Sequence, residues 1–274
     1  MKLATVRYDS GTRVVSRDGG VTRLLDHTNM AEALADGITT DRNVIRGVAL
    51  DDSEPLSFAP CVSNPGKVLC VGHNYKAHIL EMGHGLPDSP TVFSKFAGAL
   101  IGPHDDIELN HLSSSWDWEA ELAVVIGSTV RRGDRDAAGA AIAGYTIAND
   151  VSARDWQKKT SQWLLGKTFE GTTPLGPWLV TADELDPAGR LDISCTVDGT
   201  VVQSANTADL LFDPVDLVAY LSQVITLEPG DVVLTGTPGG VGAARSPQVF
   251  LKPGQEVVTT IEKLGSCRNT TVAT

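Results

Sequence analysis

Three acidic residues stand at alternate positions in the stretch WDWEAEL: Asp117, Glu119 and Glu121. Alternate side chains of a β-strand share a face, so a strand here would crowd the carboxylates on one side and bury the two tryptophans on the other. Acids two positions apart on a strand lie ~7 Å apart, and at an effective dielectric constant near 20 they repel each other by roughly 2 kcal/mol. A divalent cation would remove that repulsion, and carboxylate oxygens without nearby His or Cys favour Mg²⁺ first, then Mn²⁺ or Ca²⁺. The solvated face of an edge strand is the alternative interpretation.

Candidate partners for this chemistry lie elsewhere in the chain. Asp150 ends the apolar stretch GYTIAND and offers a third carboxylate, although Asn-Asp is also a common turn. His78 and Glu81 in HILEMG are three positions apart, so they share one face of a helical turn. A carboxylate beside an imidazole orients it and raises its basicity, which suits a general base that activates water. An ion pair on an exposed helix is the competing interpretation of this spacing.

Cationic residues and a glycine-rich stretch complete the set of candidates. Lys167 in GKTFEG would offset the charge of a substrate carboxylate or oxyanion in an acidic site, and Lys95 in FSKF could pair with a site acid. Backbone amides and the hydroxyl of Thr237 in TGTPGGVG could hold a substrate carboxylate. Arg154 could do the same, or could brace Asp150. The stretch around Thr237 lacks the glycine spacing of nucleotide-binding loops, which argues against a phosphate site.

Short strands joined by tight turns must position these residues. The patterns LATVRY and TRVVSRDGGVTRLL predict antiparallel strands, and MAEALADG predicts a short helix that ends at Gly37. VLCVG, AELAVVIGS and GYTIANDVS predict further strands, DISCTVDGTVVQS predicts a hairpin, and Asp213 with Pro214 marks a helix start. Strands outnumber helices, which predicts a β-rich α+β fold. A Pro- and Ser-rich linker separates a small N-terminal β-containing domain, 1–62, from a catalytic domain, 63–274.

The composition excludes several classes of function. The chain has 274 residues, a net charge of −12 and no basic cluster to neutralise phosphates, so neither nucleic acid nor an anionic membrane is expected as a partner. The N-terminal stretch MKLATVRYDSG does not resemble a signal peptide, and no uncharged stretch is long enough to span a bilayer. The four cysteines are scattered without a CxxC pair, as in a protein with free thiols. A cytoplasmic location is therefore expected.

The order of the motifs resembles the fumarylacetoacetate hydrolase family. The matching blocks, which run from Val71 to Val257, are VGHNYKAHILEMG, PTVFSKF, WDWEAELAVVIG, GYTIANDVSARDWQ, GKTFEGTTPLGPW, GDVVLTGTPGGVG and FLKPGQEV. The resemblance is to acylpyruvase-like and 2-hydroxyhepta-2,4-diene-1,7-dioate isomerase-like members. It implies a catalytic domain of the mixed β-sandwich or β-roll type, and a homodimer, the usual state of such relatives.

The resemblance also implies roles for single residues. The metal ligands that it implies are Glu119, Glu121 and Asp150, which would explain the crowded acids. It places a His–Glu pair, His78 and Glu81, on a mobile lid. The other catalytic residues that it implies are Lys167 and Gln157, and the substrate contacts are Arg154, Thr237, Lys95 and Tyr75. Asp117 is not one of the family's ligands, so it is expected beside them or at the surface.

The reaction implied first is hydrolysis of a carbon–carbon bond in a β-keto or β-diketo acid such as an acylpyruvate. A metal would hold the keto acid and stabilise an enolate, while His78 and Glu81 activate water. The alternative is a decarboxylase or keto–enol isomerase that acts on an oxaloacetate-like or dienedioate substrate, which needs an enolate but no attacking water. A third hypothesis is a protein that binds metal and ligand without turnover, against which the intact His–Glu pair argues.

Overall fold

The computed structural model describes residues 1–41, 47–51, 55–81, 83, 85–185 and 190–274. In chain order the strands are β1 (Lys2–Tyr8), β2 (Gly11–Asp18), β3 (Val21–Leu25), β4 (Gly47–Ala49), β5 (Val68–Gly72), β6 (Thr91–Lys95), β7 (Leu100–Ile101), β8 (Ile107–Leu109), β9 (Trp116–Asp117), β10 (Ala120–Ile126), β11 (Ile142–Asn149), β12 (Ser152–Ala153), β13 (Thr173–Thr181), β14 (Asp192–Val197), β15 (Thr200–Asn206), β16 (Val232–Leu234), β17 (Glu256–Ile261) and β18 (Gly265–Ala273). The helices are α1 (Met30–Ala35), α2 (Lys76–Glu81), α3 (Arg135–Ala141), α4 (Arg154–Gln157), α5 (Leu164–Lys167) and α6 (Pro214–Val224). This content confirms the predicted β-rich α+β fold. Within these ranges, each helix is too short or too polar to cross a bilayer.

The structure has turns and helix ends where the local sequence predicts them. The hairpin of β14 and β15 turns at Asp198 and Gly199, whose φ angles of 50° and 75° are left-handed, as a two-residue hairpin turn requires. Helix α6 begins at Pro214, and the carboxylate of Asp213 before it accepts a hydrogen bond from the backbone N–H of Asp216 at 2.9 Å. These turns fix where each strand starts and therefore which residues reach the site.

A large mixed sheet carries the acidic residues. Its strand order is β4-β3-β2-β1-β13-β11-β10-β16-β5-β6, with β7 alongside β13. Strands β10 and β11 are antiparallel neighbours and are buried along their whole length. Their register places Ala120 opposite Asn149, and the backbone N–H of Asp150 donates to the carbonyl of Glu119 at 2.8 Å. The end of this strand pair therefore brings together acids that lie 31 positions apart in the sequence.

Two hydrophobic clusters lie on opposite sides of β10. Leu122 and Val124 belong to the cluster that includes the inner residues of a second sheet, whose order is β15-β14-β17-β18-β8. Ala123 and Val125 belong to the other cluster, together with Leu3 of the N-terminal strands. The predicted alternation of faces along this strand is therefore confirmed, and both faces are buried.

The alternation of residues predicted one continuous strand through the acidic stretch, but the structure has two. Strand β9 ends at Asp117 and pairs with β12, whereas β10 begins at Ala120 and pairs with β11. Between them, the backbone N–H of Trp118 donates to the carboxylate of Asp117, and that of Glu119 donates to the side-chain oxygen of Asn149. Side chains thus replace the sheet ladder at this point, because the backbone donors must be satisfied inside the core.

The N-terminal strands continue the large sheet. β1 is antiparallel to β13, with Leu3 opposite Leu179. The terminal amine of Met1 donates to the hydroxyl of Thr181 at 3.0 Å and forms an ion pair with Glu184. The proposed division between residues 1–62 and 63–274 stays a prediction.

Candidate metal and substrate site

Three carboxylates converge where β10 begins and β11 ends. Glu119 precedes β10, Glu121 is the second residue of β10, and Asp150 follows β11. One oxygen from each carboxylate lies within 4.8 Å of the others, and the three residues are between 0% and 6% exposed. The alternative interpretation of a solvated edge strand therefore does not apply to these side chains.

Buried cations neutralise two of the three carboxylates. The amine of Lys167 lies 2.6 Å from Glu119 and 2.8 Å from Asp150, and the amine of Lys95 binds the other oxygen of Asp150. Burial alone would lower the pKa of Lys167, but Asp150 and Glu119 raise it above its usual value, so Lys167 is protonated. Burial likewise opposes ionisation of Asp150, but Lys167 and Lys95 hold the pKa of that carboxyl below its usual value.

Glu121 forms no ion pair with a cation in the described part of the chain. One of its oxygens accepts a hydrogen bond from the backbone N–H of Gly236 at 2.7 Å. Burial, with repulsion from Asp150 and Glu119, raises the pKa of Glu121 well above its ordinary value. A divalent cation would relieve this repulsion, and a donor set of oxygens alone suits a hard ion. The three residues therefore fit a divalent metal.

Asp117 lies beside the three clustered carboxylates and is fully buried. Its carboxylate accepts hydrogen bonds from the backbone N–H groups of Gly242 and Ala243 at 2.6 and 3.0 Å, and from Nε of Arg154 at 2.8 Å. Arg154 also forms an ion pair with Glu119 at 2.5 Å. Arg154 thus pairs with Asp117 and Glu119 rather than with Asp150, and it links the glycine-rich loop to one of the three clustered acids.

His78 and Glu81 both lie on α2, but they are not hydrogen-bonded. Nδ1 of His78 is 3.9 Å from the carboxylate of Glu81, which is too far for a hydrogen bond, and it has no other partner among the residues that the structure describes. The side chain of Glu81 is 75% exposed, whereas that of His78 is 10% exposed. Burial lowers the pKa of His78, although Glu81 and Glu119 oppose the shift, so its imidazole is neutral near pH 7.

A cavity of about 930 Å³ joins the acids to the His–Glu pair. Eight of the eleven site residues predicted from the sequence line it. The other three, Asp150, Lys95 and Tyr75, are buried behind its wall. Lys95 pairs with Asp150, as one sequence interpretation suggested, while the hydroxyl of Tyr75 has no hydrogen-bond partner among the described residues. A substrate contact from Tyr75 or Lys95 stays a prediction.

Gln203, which the sequence analysis missed, clamps the segment between two of the acids. Its side-chain oxygen accepts from the backbone N–H of Ala120 at 2.9 Å, and its nitrogen donates to the hydroxyl of Thr237 and to the carbonyl of Pro238 at 2.8 and 2.9 Å. The hydroxyl of Thr237 donates to the carbonyl of Ala120 at 2.9 Å. Ala120 lies between Glu119 and Glu121, so these bonds fix the separation of the two side chains.

Strand alternation could not reveal Gln203. The register of β14 with β15 shifts between Cys195 and Thr196, and the consecutive residues Val202 and Gln203 are both buried. Such an irregularity breaks the simple alternation of faces on which the sequence analysis relied. Asn149 was missed for a different reason. It was interpreted as a turn residue, but it is buried and accepts a hydrogen bond from the backbone N–H of Glu119 at 2.9 Å.

Comparisons with known proteins identify relatives of this chain. The family model described as fumarylacetoacetate (FAA) hydrolase C-terminal matches residues 67–272. The mitochondrial oxaloacetate tautomerase FAHD2A of Homo sapiens is 50% identical over 225 residues, which cover 81% of this chain and 71% of that protein. The solved fumarylacetoacetate hydrolase of Exiguobacterium antarcticum is 34% identical, with a TM-score of 0.88 and 100% of both chains covered. The 5-carboxymethyl-2-hydroxymuconate delta-isomerase of Mycobacterium smegmatis is 33% identical, with a TM-score of 0.83 and the same coverage.

The expected cytoplasmic location is wrong by this comparison. The tautomerase relatives from Homo sapiens and Bos taurus are named as mitochondrial proteins. The expectation rested on four cysteines without a disulfide pattern, and all four are indeed free and buried. Free thiols indicate a reducing compartment, but they do not distinguish one such compartment from another.

Proposed function

The chain belongs to the fumarylacetoacetate hydrolase family, and we propose that it catalyses keto–enol tautomerisation of a short 2-oxo dicarboxylic acid such as oxaloacetate. This reverses the order of the two reactions inferred from the sequence, where carbon–carbon hydrolysis came first. The observation that carries the proposal is the separation of His78 from Glu81, 3.9 Å between Nδ1 and the carboxylate. Hydrolysis needs the imidazole to be oriented by a partner so that it can deprotonate an attacking water. Tautomerisation needs only that the imidazole accept a proton from the substrate carbon. The name of the human relative supports the same reaction.

The proton transfer can be assigned to residues of the cavity wall. The neutral imidazole of His78 accepts a proton from C3 of the keto form, and the 2-keto oxygen gains a proton as the double bond moves to C2–C3. One C–H bond breaks and one O–H bond forms, so no co-reactant is required. The protonated amine of Lys167 supplies positive charge where negative charge develops on oxygen. The side-chain oxygen of Gln157 accepts from Arg154 at 2.9 Å, which directs its amide nitrogen to donate to the substrate.

The metal proposed for Glu119, Glu121 and Asp150 is Mg²⁺, with Mn²⁺ or Ca²⁺ as substitutes. When bound, it supplies a Lewis acid for the substrate oxygens. The chain's own contribution is to hold the ligands in place. Arg154 orients Glu119, and Lys95 and Lys167 fix both oxygens of Asp150. This proposal is supported by the raised pKa of Glu121, a buried carboxylate with no ion pair among the described residues.

The proposal is tested by comparing two variants of the His–Glu pair. Ketonisation of enol-oxaloacetate is followed by ultraviolet absorbance with metal-loaded protein. His78→Ala should lose roughly 10²- to 10⁴-fold in rate, the usual contribution of a general base. Glu81→Gln, which keeps the size of the side chain, should change the rate much less. An equal loss in both variants would indicate a functional pair, and an unaffected His78→Ala would place the base elsewhere.

Carbon–carbon hydrolysis of an acylpyruvate is the second candidate, because both members of the pair face one point. A Cβ atom built at Gly239 would lie 3.1 Å from the Glu81 carboxylate and 3.3 Å from Nδ1 of His78. Rotation of the exposed Glu81 side chain would therefore complete a hydrogen bond. Turnover of acylpyruvates in ¹⁸O-labelled water distinguishes the reactions. Label in the released acid supports hydrolysis, and release of carbon dioxide from oxaloacetate supports decarboxylation.

The proposed partner is thus a small 2-oxo acid, and we propose a homodimer as the assembly. The dimer rests on the family resemblance alone. Light scattering of the purified protein measures the mass directly, and a mass of one chain would contradict it.

A further inference from the structure

Arg245 is a cation of the cavity wall that has no carboxylate partner among the residues described. Arg245 is half-buried, whereas the two buried cations of the same wall are paired, Arg154 with Asp117 and Glu119, and Lys167 with Glu119 and Asp150. Arg245 lines the same cavity, and the partners that it has are backbone carbonyls and an aromatic ring. Although Glu81, Glu119 and Glu121 line the same cavity, Arg245 forms no ion pair with any of them.

Backbone contacts hold the guanidinium in one orientation. Its Nη2 donates to the carbonyls of Val202 and Gly240 at 2.8 and 3.1 Å, and its Nε lies 3.3 Å from the same Gly240 carbonyl. The indole N–H of Trp118 also donates to that carbonyl at 3.2 Å, and the guanidinium lies 5.6 Å from the Trp118 ring. Because Trp118 immediately precedes Glu119, this contact ties Arg245 to the chain segment that carries the acids.

The position of the Gly240 carbonyl depends on glycine. Gly240 has a φ of 100°, and a Cβ atom there would lie 2.3 Å from the carbonyl oxygen of Val202. Any side chain would therefore push apart the two carbonyls that Arg245 binds. These bonds occupy Nε and Nη2, so the donors of Nη1 are left for a ligand in the cavity.

We infer that Arg245 binds the second carboxylate of the substrate and so selects dicarboxylic over monocarboxylic 2-oxo acids. The acids and Lys167 line the part of the cavity where the 2-oxo acid group would react, and Arg245 lines the same cavity without an ion pair to any of those acids. A guanidinium held in a fixed orientation by Nε and Nη2 presents the N–H donors of Nη1 and a permanent positive charge to a carboxylate in the cavity. A cavity of about 930 Å³ has room for a short dicarboxylic acid between the two groups.

This inference rests on the proposed tautomerase function, but its test does not require turnover. Malate and lactate form a matched pair of 2-hydroxy acids that differ in the second carboxylate, and neither can undergo keto–enol exchange at C2. Their affinities for the Mg²⁺-loaded full chain are measured by calorimetry. A protein that lacks tautomerase activity can still show the discrimination, and an active tautomerase can fail it.

Arg245→Met should weaken malate binding roughly 10- to 100-fold, the value of a hydrogen bond to a charged group, and leave lactate binding unchanged. Lactate thereby reports whether the rest of the site is intact in the variant. Arg245→Lys should recover part of the malate affinity, because lysine restores the positive charge but not the planar guanidinium and its fixed N–H donors. Lys158→Met is the matched control, since Lys158 is an exposed cation of the same cavity wall.

Three outcomes would overturn the inference. An equal loss of malate and lactate in Arg245→Met would mean that Arg245 acts only through the loop it holds. An equal loss of malate affinity in Lys158→Met would mean that the general charge of the cavity matters, not this side chain. Malate bound no more tightly than lactate by the unmodified protein would mean that no second-carboxylate site exists.

Discussion

Replacing Glu121 by glutamine should stabilise the metal-free protein while removing its metal affinity. The carboxylate of Glu121 lies within 4.8 Å of oxygens of Glu119 and Asp150. At that separation and an effective dielectric constant of 20, two ionised carboxylates repel by about 3 kcal/mol. Burial and this repulsion raise the pKa of Glu121, so the metal-free fold must hold the side chain either ionised against its neighbours or protonated, and both cost free energy relative to the unfolded chain. The lysines beside Glu119 and Asp150 reduce this value, so the expected gain in the free energy of unfolding is about 1–3 kcal/mol. Glutamine keeps an oxygen that can accept the Gly236 N–H.

Glu119→Gln is the matched control, because it makes the same chemical change at a carboxylate that is already paired. Glu119 binds Lys167 at 2.6 Å and Arg154 at 2.5 Å, and all three side chains are buried. Removing one partner of a buried ion pair costs about 3–5 kcal/mol. The two substitutions should therefore change the stability of the metal-free protein in opposite directions, although both should weaken Mg²⁺ binding.

The assay combines two measurements on the same preparations. Urea denaturation after dialysis against a chelator gives the free energy of unfolding of the metal-free proteins, and calorimetric titration with Mg²⁺ gives the affinity. A Glu121→Gln protein that is less stable than the parent without metal would refute the argument from repulsion. A Glu121→Gln protein that binds Mg²⁺ with unchanged affinity would refute the ligand assignment.

Two further predictions concern the base and the clamp. Because burial lowers the pKa of His78 below 6.5, the rate of tautomerisation should decline only as the pH falls below 6.5, where the imidazole becomes protonated and cannot accept a proton. Glu81→Gln removes a charge that raises this pKa, so the decline should move to lower pH, and an acidic limb of the pH–rate profile above 6.5 would contradict the assignment. Gln203→Leu leaves the Ala120 N–H and the Pro238 carbonyl unpaired, each at a cost of about 1–3 kcal/mol. Denaturation and Mg²⁺ titration should show lower stability and weaker binding, whereas unchanged metal affinity would contradict the clamp.

The sequence predicts the acidic cluster well because period-2 alternation and strand ends are local properties. Alternate positions place Glu119 and Glu121 together with Asp117, and an apolar stretch that ends at Asp150 offers a further carboxylate. The family resemblance is what selects Glu119, Glu121 and Asp150 and leaves out Asp117. The break between β9 and β10 was not predictable, since it depends on the amide of Asn149, which accepts from the Glu119 N–H across the strand pair. A residue interpreted as a turn former thus acts as a buried hydrogen-bond partner.

The partners of the cations and the distance between His78 and Glu81 can be obtained only from the three-dimensional structure. Spacing places His78 and Glu81 on one helical face, but it cannot give the 3.9 Å between their polar atoms. Arg245 follows the glycine-rich loop in the sequence without any pattern that marks it. Only the three-dimensional structure shows that Arg245 is held by carbonyls of β15 and of the loop and that no acid in the described ranges pairs with it.

Exchange of the C3 protons of oxaloacetate with deuterated water tests the central claim most directly. Tautomerisation removes and returns a C3 proton without consuming the acid, so NMR should show deuterium entering C3 faster than in buffer while oxaloacetate remains. The exchange should require the divalent metal and should fall in His78→Ala. Loss of oxaloacetate to pyruvate without prior exchange, or exchange at the rate of buffer with metal bound, would contradict the account.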